Sequence, residues 1–282
     1  MTRSQPQSRP QHAHLLRALH ERGLILPCAW DAVSARVLQQ AGSPAIGTSS
    51  AAVAFALGFP DGQVAPRDTL LAALERTLNA VTVPVTADLE GGYADTPQGV
   101  ADTVHTALSL GAAGLNLEDA TGQPDRPLLP ADQQVDRLRA ARAAADAQGV
   151  PAYLNARTDT YLTGYGDTDA DRLDETVRRG RAYLQAGADS VFVPGLTDPP
   201  TIRALRDRLG GALAVMHAPG GPDAHTLLRA GASRVSTGPS LFLAALGHAA
   251  TLSAQFRERG TLDTPGALPF GTVQGWFSRS PA

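Results

Sequence analysis

Cysteine is almost missing from this 282-residue chain, and that scarcity excludes a good deal. A lone Cys28 cannot close an internal disulfide, which fits a reducing compartment. Within "LILPCAW" it reads as an inert core thiol rather than a nucleophile. No apolar run approaches the ~20 residues needed to span a bilayer. Neither sign of charge dominates: 24 Lys and Arg against 27 Asp and Glu leave a formal −3, so no global basic surface is available for nucleic acid or an anionic membrane. The opening MTRSQPQSRP has no apolar centre of a signal peptide and reads as a disordered tail over residues 1–10. A glycine-rich phosphate loop is also missing after the first apolar run, where "CAWDAVSARV" stands, against an open dinucleotide-binding sheet. These absences describe a cytoplasmic protein with neither nucleic-acid nor membrane partners.

What is present is a regular alternation. Strands are expected near 24–30, 45–50, 83–90, 114–119, 152–158, 190–195, 212–217 and 234–238, each followed by an amphipathic run. Over 131–148, Val135, Leu138, Ala141 and Ala145 share one helical stripe. Gly149, Gly187 and Gly231 stand where helices should stop. "YGDTDAD" places Asp167 and Asp169 at a turn and helix cap. Eight strands alternating with helices predict the α/β class, as a single closed (β/α)₈ TIM barrel over 11–258 with an extra N-terminal helix near 11–21. The Gly/Pro-rich stretch 259–282 reads as a C-terminal extension and subunit contact, with Trp276 a packing anchor.

Barrel active sites lie at the C-terminal ends of the strands. Those ends supply Trp30, then Thr48, Ser49 and Ser50, then Asp88 and Glu90, Glu118, and Arg157. Strand alternation puts Asp88 and Glu90 on one face, and Gly91–Gly92 permits a tight turn or close approach of a ligand. Asp88, Glu90 and Glu118 form an oxygen-rich pocket without paired His or Cys, which suits Mg²⁺ (or Mn²⁺) over zinc. A hard cation beside Arg157 suits a small acid bearing carboxylate and oxo oxygens, with an enolate stabilised as it forms. His217 stands as a base, a ligand contact or a satisfied core histidine. The other six His, among them His12, His14 and His20, are expected in solvent. Alternatively the acids and Arg157 form a buried ion-pair network closing the barrel.

In order along the chain, "WDAVSARVLQQAG", "TSSAAVAFALGFPDG", "ADLEGGYAD", "GLNLEDATG", "ARTDTYL" and "GADSVFVPGL" resemble the isocitrate lyase/phosphoenolpyruvate mutase superfamily, from about residue 24 to 246. The resemblance implies a Mg²⁺-dependent barrel that cleaves or rearranges a C–C or P–C bond next to a 2-oxo acid. It implies a homodimer or homotetramer with an exchanged C-terminal helix. It makes Asp88 the direct metal ligand, with Glu90 and Glu118 binding through water. Thr48, Ser49 and Ser50 would cradle the oxo-acid carboxylate, Asp61 in "GFPDG" would lie close to the metal, Arg157 would bind substrate, and Trp30 would lie over it. The departures are equally specific: the loop "ATGQPDRPLLP" has neither the Cys nor the Lys of the lyases' "KKCGH" loop, Pro194 replaces a Glu, and Val215 replaces an Asn. The expected activity is therefore a Mg²⁺-dependent lyase or decarboxylase of an isocitrate-, 2-methylisocitrate- or oxaloacetate-like acid, with Asp61 or Arg126 moving protons. The alternatives are a P–C bond mutase or hydrolase, for which Trp30 speaks, and a non-catalytic 2-oxo acid binder.

Overall fold

The computed structural model describes residues 9–278. Its first elements are α1 (Arg9–Glu21), β1 (Leu24–Leu26), β2 (Cys28–Ala29), α2 (Ala32–Gln40), β3 (Ile46–Thr48), α3 (Ser50–Ala56), α4 (Arg67–Ala80) and β4 (Val85–Asp88). There follow α5 (Pro97–Leu110), β5 (Gly114–Glu118), β6 (Ala120–Gln123), β7 (Arg126–Leu128), α6 (Ala131–Ala147), β8 (Tyr153–Arg157) and α7 (Asp169–Gln185). The chain continues through β9 (Ser190–Val193), α8 (Pro199–Leu209), β10 (Ala212–Met216), α9 (Ala224–Arg229), β11 (Arg234–Ser236), α10 (Ser240–Arg259) and α11 (Phe270–Phe277).

The parallel ladder runs β1-β11-β10-β9-β8-β5-β4-β3-β2. β1 and β2 are two halves of the first expected strand, split at Pro27, which has no N–H to give to a ladder. β1 pairs with β11 and β2 with β3, so the ribbon begins and ends in one strand. The result is a closed (β/α)₈ barrel.

Alternation sorts the side chains. From β5, β8, β9 and β10, Leu115, Leu117, Leu154, Ala156, Val191, Val193, Leu213 and Val215 pack outward in the core clusters under the helices. Each large aliphatic side chain so buried contributes ~1.5–3 kcal/mol before the entropy of ordering it. On α6 the expected stripe holds: Leu138, Ala141 and Ala145 are buried and Val135 packs against them. Inward positions are polar instead, including Asp88, Asn116, Asn155, Arg157, Ser190 and Arg234. Val215, expected at a substrate-facing position, faces the helices; its neighbour Met216 lines the interior.

Several expectations change. α1 begins at Arg9, so the tail ends sooner than residue 10, and residues 1–8 lie outside the described residues. The stretch 120–128 is an antiparallel hairpin rather than a loop, held by the Thr121 hydroxyl donating to the Arg126 carbonyl. Thr168, not its aspartate neighbours, caps α7, and Asp171 closes the capping box. His20 is buried rather than solvated and stacks on Tyr153 at 3.8 Å. The C-terminal extension carries α11, which is tied back to α2 by Arg36 donating to the Trp276 carbonyl at 3.3 Å. Residues 279–282 lie outside the described residues. Among the described residues no helix is long and apolar enough to cross a membrane.

Candidate active site

A cavity of about 170 Å³ opens at the C-terminal end of the barrel, below the ~300–1,000 Å³ usual for drug-sized ligands and suited to a small acid. Thr48, Ser49, Ser50, Asp61, Asp88 and Arg157 all line it, as do Asn116, Phe192, Met216 and Arg234. The β3 end explains the first group. Ser49 caps α3 by accepting from Ala52 N at 3.4 Å, which leaves Ser50 in the first turn. Ser50 Oγ donates to Asp88 Oδ2 at 2.9 Å, and Thr48 Oγ1 accepts from Asp88 N at 2.9 Å. Asp88 Oδ1 is buried with no hydrogen-bond partner.

Arg157 is the centre of charge. Its Nε and Nη2 hold Asp159 at 2.6 and 2.8 Å, and Nη1 lies 2.7 Å from Glu118 and 3.8 Å from Asp88. Burial opposes its charge, but these three acids outweigh burial and raise its pKa well above the ordinary arginine value. Burial pushes Glu118 well above the carboxylate range, with Asp159, Asp88 and Glu90 adding to it and Arg157 pulling back. One guanidinium faces three carboxylates, so the cluster is anionic even with its ion pairs made.

Glu90 is not in this cluster. The strand ends at Asp88, and Glu90 takes a left-handed φ of 50°, so the two-residue alternation that would aim it beside Asp88 is broken. Its carboxylate accepts from Gln63 N at 2.5 Å and from the Tyr93 hydroxyl, and Tyr93 N donates to Gln63 Oε1 at 2.8 Å. Gln63 and Tyr93 are left-handed as well, a conformation that costs on the order of 1–3 kcal/mol per non-glycine residue. The latch ties the "FPDGQ" loop that carries Asp61 to the end of β4. The two glycines serve this turn: a Cβ on Gly91 would lie 2.8 Å from Gln63 Nε2, and Gly92 sits at φ +86° against Val100.

Asp61, though exposed on one side, has its carboxyl raised above the usual range, first by desolvation and then by Asp88 and Asp159, with Gly62 N and Arg157 opposing. Glu118 is paired with Arg157 and Glu90 with Gln63 and Tyr93, while the charges of Asp88 and Glu90 both act on Glu118. Among the described residues no three His, Cys, Asp or Glu side chains are grouped to hold a metal ion. What does fit a hard cation is narrower: the unpartnered Asp88 Oδ1 in an anionic, histidine-free wall, where a cation such as Mg²⁺ would take one carboxylate and keep several waters.

Trp30 and His217 do not line the cavity. Trp30 is half-buried just past the end of β2, edge-on to Phe242 at 5.4 Å. Arg126 is exposed on the hairpin with Gln123. Cys28 does reach the cavity wall, where burial pushes its thiol up and keeps it unreactive. Arg234 is the residue the strand pattern should have yielded: a charged side chain opening a buried strand is rarely placed without a partner to meet.

A profile of the phosphoenolpyruvate phosphomutase family matches residues 16–257. The chain belongs to the isocitrate lyase/phosphoenolpyruvate mutase superfamily. An uncharacterized protein of Mycobacterium tuberculosis is 35% identical over 91% of this chain and 93% of its own length. An oxaloacetate decarboxylase of Bradyrhizobium diazoefficiens is 30% identical over 75% of this chain and 74% of its own. The crystal structure of a 2,3-dimethylmalate lyase of the same superfamily superposes with a TM-score of 0.82 at 26% identity, covering 94% of both chains. The superfamily comprises lyases and mutases, and this member is an enzyme of that kind.

Proposed function

We propose that the chain is a Mg²⁺- or Mn²⁺-dependent carbon–carbon lyase or decarboxylase. Its substrate would be a small 2-oxo or 2-hydroxy di- or tricarboxylic acid of the isocitrate, 2-methylisocitrate or oxaloacetate class, cleaved through an enolate. The observation that carries this reading is the anionic wall of the cavity, with three buried carboxylates on Arg157 and Asp88 Oδ1 unpartnered. The names of the decarboxylase and the lyase just described both specify dicarboxylic acids, which supports the class.

When bound at Asp88, the cation would supply Lewis-acid stabilisation of negative charge developing on the substrate's oxo oxygen. Ser50 holds the other Asp88 oxygen and so fixes the carboxylate's orientation. Arg157, kept charged by its acids, would stand beside a carboxylate of the bound substrate, with the cation at Asp88 offsetting the surplus negative charge of the cluster. Asp61 stands at the mouth with a raised pKa and would carry the proton that the substrate carbon takes up after the C–C bond breaks. The case for P–C bond chemistry rested chiefly on Trp30, which packs on Phe242 and does not line the cavity.

The same proposal includes assembly as a homodimer or homotetramer. α10 spans 20 residues, of which Phe242 is buried, so this eighth helix does not cover its own barrel. A partner's barrel is the surface it suits.

The deciding experiment measures pyruvate or glyoxylate release from oxaloacetate, isocitrate and 2-methylisocitrate, and pyruvate or phosphoenolpyruvate formation from phosphonopyruvate. Turnover of one of the carboxylic acids, abolished by EDTA and restored by Mg²⁺, is the expected result. Turnover of phosphonopyruvate alone, or turnover indifferent to EDTA, overturns the proposal.

A further inference from the structure

Arg234 opens β11 and is 1% exposed, one of the largest fully buried side chains of the protein. Strand register places it in a row that crosses the sheet: Arg234, Ala214, Phe192, Arg157 and Glu118 are successive partners. Because barrel strands tilt, this row climbs from the start of β11 to the end of β5. Arg234 is therefore deep in the cavity whose rim holds Arg157, and it lines that cavity. Its guanidinium carbon lies 4.5 Å from the centre of the Phe192 ring, and that of Arg157 lies 6.0 Å from the same ring. The two cations are thus no farther apart than those two distances combined.

The hydrogen bonding of Arg234 is incomplete. Nη1 donates to Asn116 Oδ1 at 3.2 Å, while Nε and Nη2 are buried without a hydrogen-bond partner. Asn116 and Phe192 are neutral, so these contacts bring the guanidinium no counter-charge. A buried cation left in this state is costly, and an anion is the group that relieves it. The geometry also selects the anion. Nε and Nη2 form one edge of the planar fork, the edge by which Arg157 grips both oxygens of Asp159. On Arg234 that edge is buried and unpaired at the wall of a small cavity, and its geometry matches a carboxylate.

We propose that Arg234 is the floor of the substrate site and receives the distal carboxylate of a diacid through Nε and Nη2, an inference that rests on the 2-oxo acid reading above. The proximal carboxylate and oxo group then lie at the level of Ser50, Asp88 and Arg157. Selection of a diacid over a monoacid follows from this second anchor rather than from the metal end of the cavity.

The test is equilibrium binding of oxaloacetate, 2-oxoglutarate and pyruvate to the full chain, with Ca²⁺ replacing Mg²⁺ to slow turnover. The wild type should bind one diacid on the order of tenfold or more tighter than pyruvate, as expected for a buried charge-assisted pair. Arg234→Met and Arg234→Gln should lose that preference while binding pyruvate within about threefold of wild type, and Arg234→Lys should recover part of it. Because the substitution removes a buried charge that no hydrogen-bonded acid neutralises, the ligand-free melting temperature of Arg234→Met should equal or exceed that of wild type. Equal losses for all three acids, or diacid binding unchanged in both variants, overturns the proposal. Wild type that binds pyruvate but neither diacid overturns the role of Arg234 alone. Wild type that binds none of the acids defeats the 2-oxo acid reading and this inference with it.

Discussion

Ser50 Oγ donates a 2.9 Å hydrogen bond to Oδ2 of Asp88, while Oδ1 of the same carboxylate is buried and unpartnered. The bond leaves the second oxygen for a cation. Asp88→Asn keeps the shape and removes the charge, so calorimetric Mg²⁺ and Mn²⁺ binding should disappear while the melting temperature stays near wild type. Ser50→Ala should weaken cation affinity by ~10–100-fold, as outer partners of metal ligands do. Asp88→Asn with wild-type cation affinity would remove Asp88 as the ligand.

Asp61 yields a prediction about pH. Its carboxyl is raised above the usual range, chiefly by desolvation, and the proposed role needs it protonated. Turnover should therefore fall as pH rises through that raised pKa. Asp61→Asn should lower kcat by ~10²–10⁴-fold, the span of general acid catalysis, and flatten this alkaline limb. A full limb retained in Asp61→Asn assigns the proton to another group.

The fold was legible because two periodicities repeat without interruption. Apolar runs ending in polar residues gave the strands, and "SLGAAGLNLED", "QAGADSVFVPG" and "RAGASRVSTG" marked where helices hand over to them. Asp88, Arg157 and the Thr48–Ser50 segment were legible for the same reason, since barrel strand ends carry the site. The backbone turn at Glu90 was not: alternation holds only while the backbone stays extended, and here Glu90 is left-handed and bonded to Gln63, 27 residues away. Trp30 does follow the end of β2, and there its ring packs edge-on to Phe242 rather than lining the cavity. Arg234 was within reach. "RVS" alternates with Val235 outward, which puts Arg234 inside, but a strand read only for its exit residues hides one at its entrance.

His20 is buried against Tyr153, with Nδ1 2.9 Å from the Leu16 carbonyl. Burial, and then the charge of Arg234, lowers its pKa to about 3. The unfolded chain takes up this proton near pH 6.5, the folded protein only near 3, so the stabilising contribution is present above 6.5 and is lost as pH falls between them. The loss approaches ~1.4 kcal/mol per pH unit inside that window. His20→Phe retains a stacking ring without the titration, so its stability should fall less than wild type between pH 6.5 and 4.5 in urea unfolding. Equal slopes for the two proteins would show that His20 charges in the folded state.

The last prediction concerns α10. Leu243, Leu246 and Phe256 are more than half exposed along it, and Phe270 at the start of α11 is 82% exposed. Exposed apolar residues on a helix that leaves its own barrel uncovered are what a subunit face would bury. The exchange of α10 between barrels would bury these residues and give each barrel its eighth outer helix. Light scattering should therefore report a mass two or four times the 29.3 kDa of one chain. Placing a charge at the centre of the face, Leu246→Asp together with Leu243→Asp, should shift the protein to monomer and lower its melting temperature, because the closing helix is lost along with the partner. A wild-type monomer, or an oligomer indifferent to both charges, would show that α10 serves another surface.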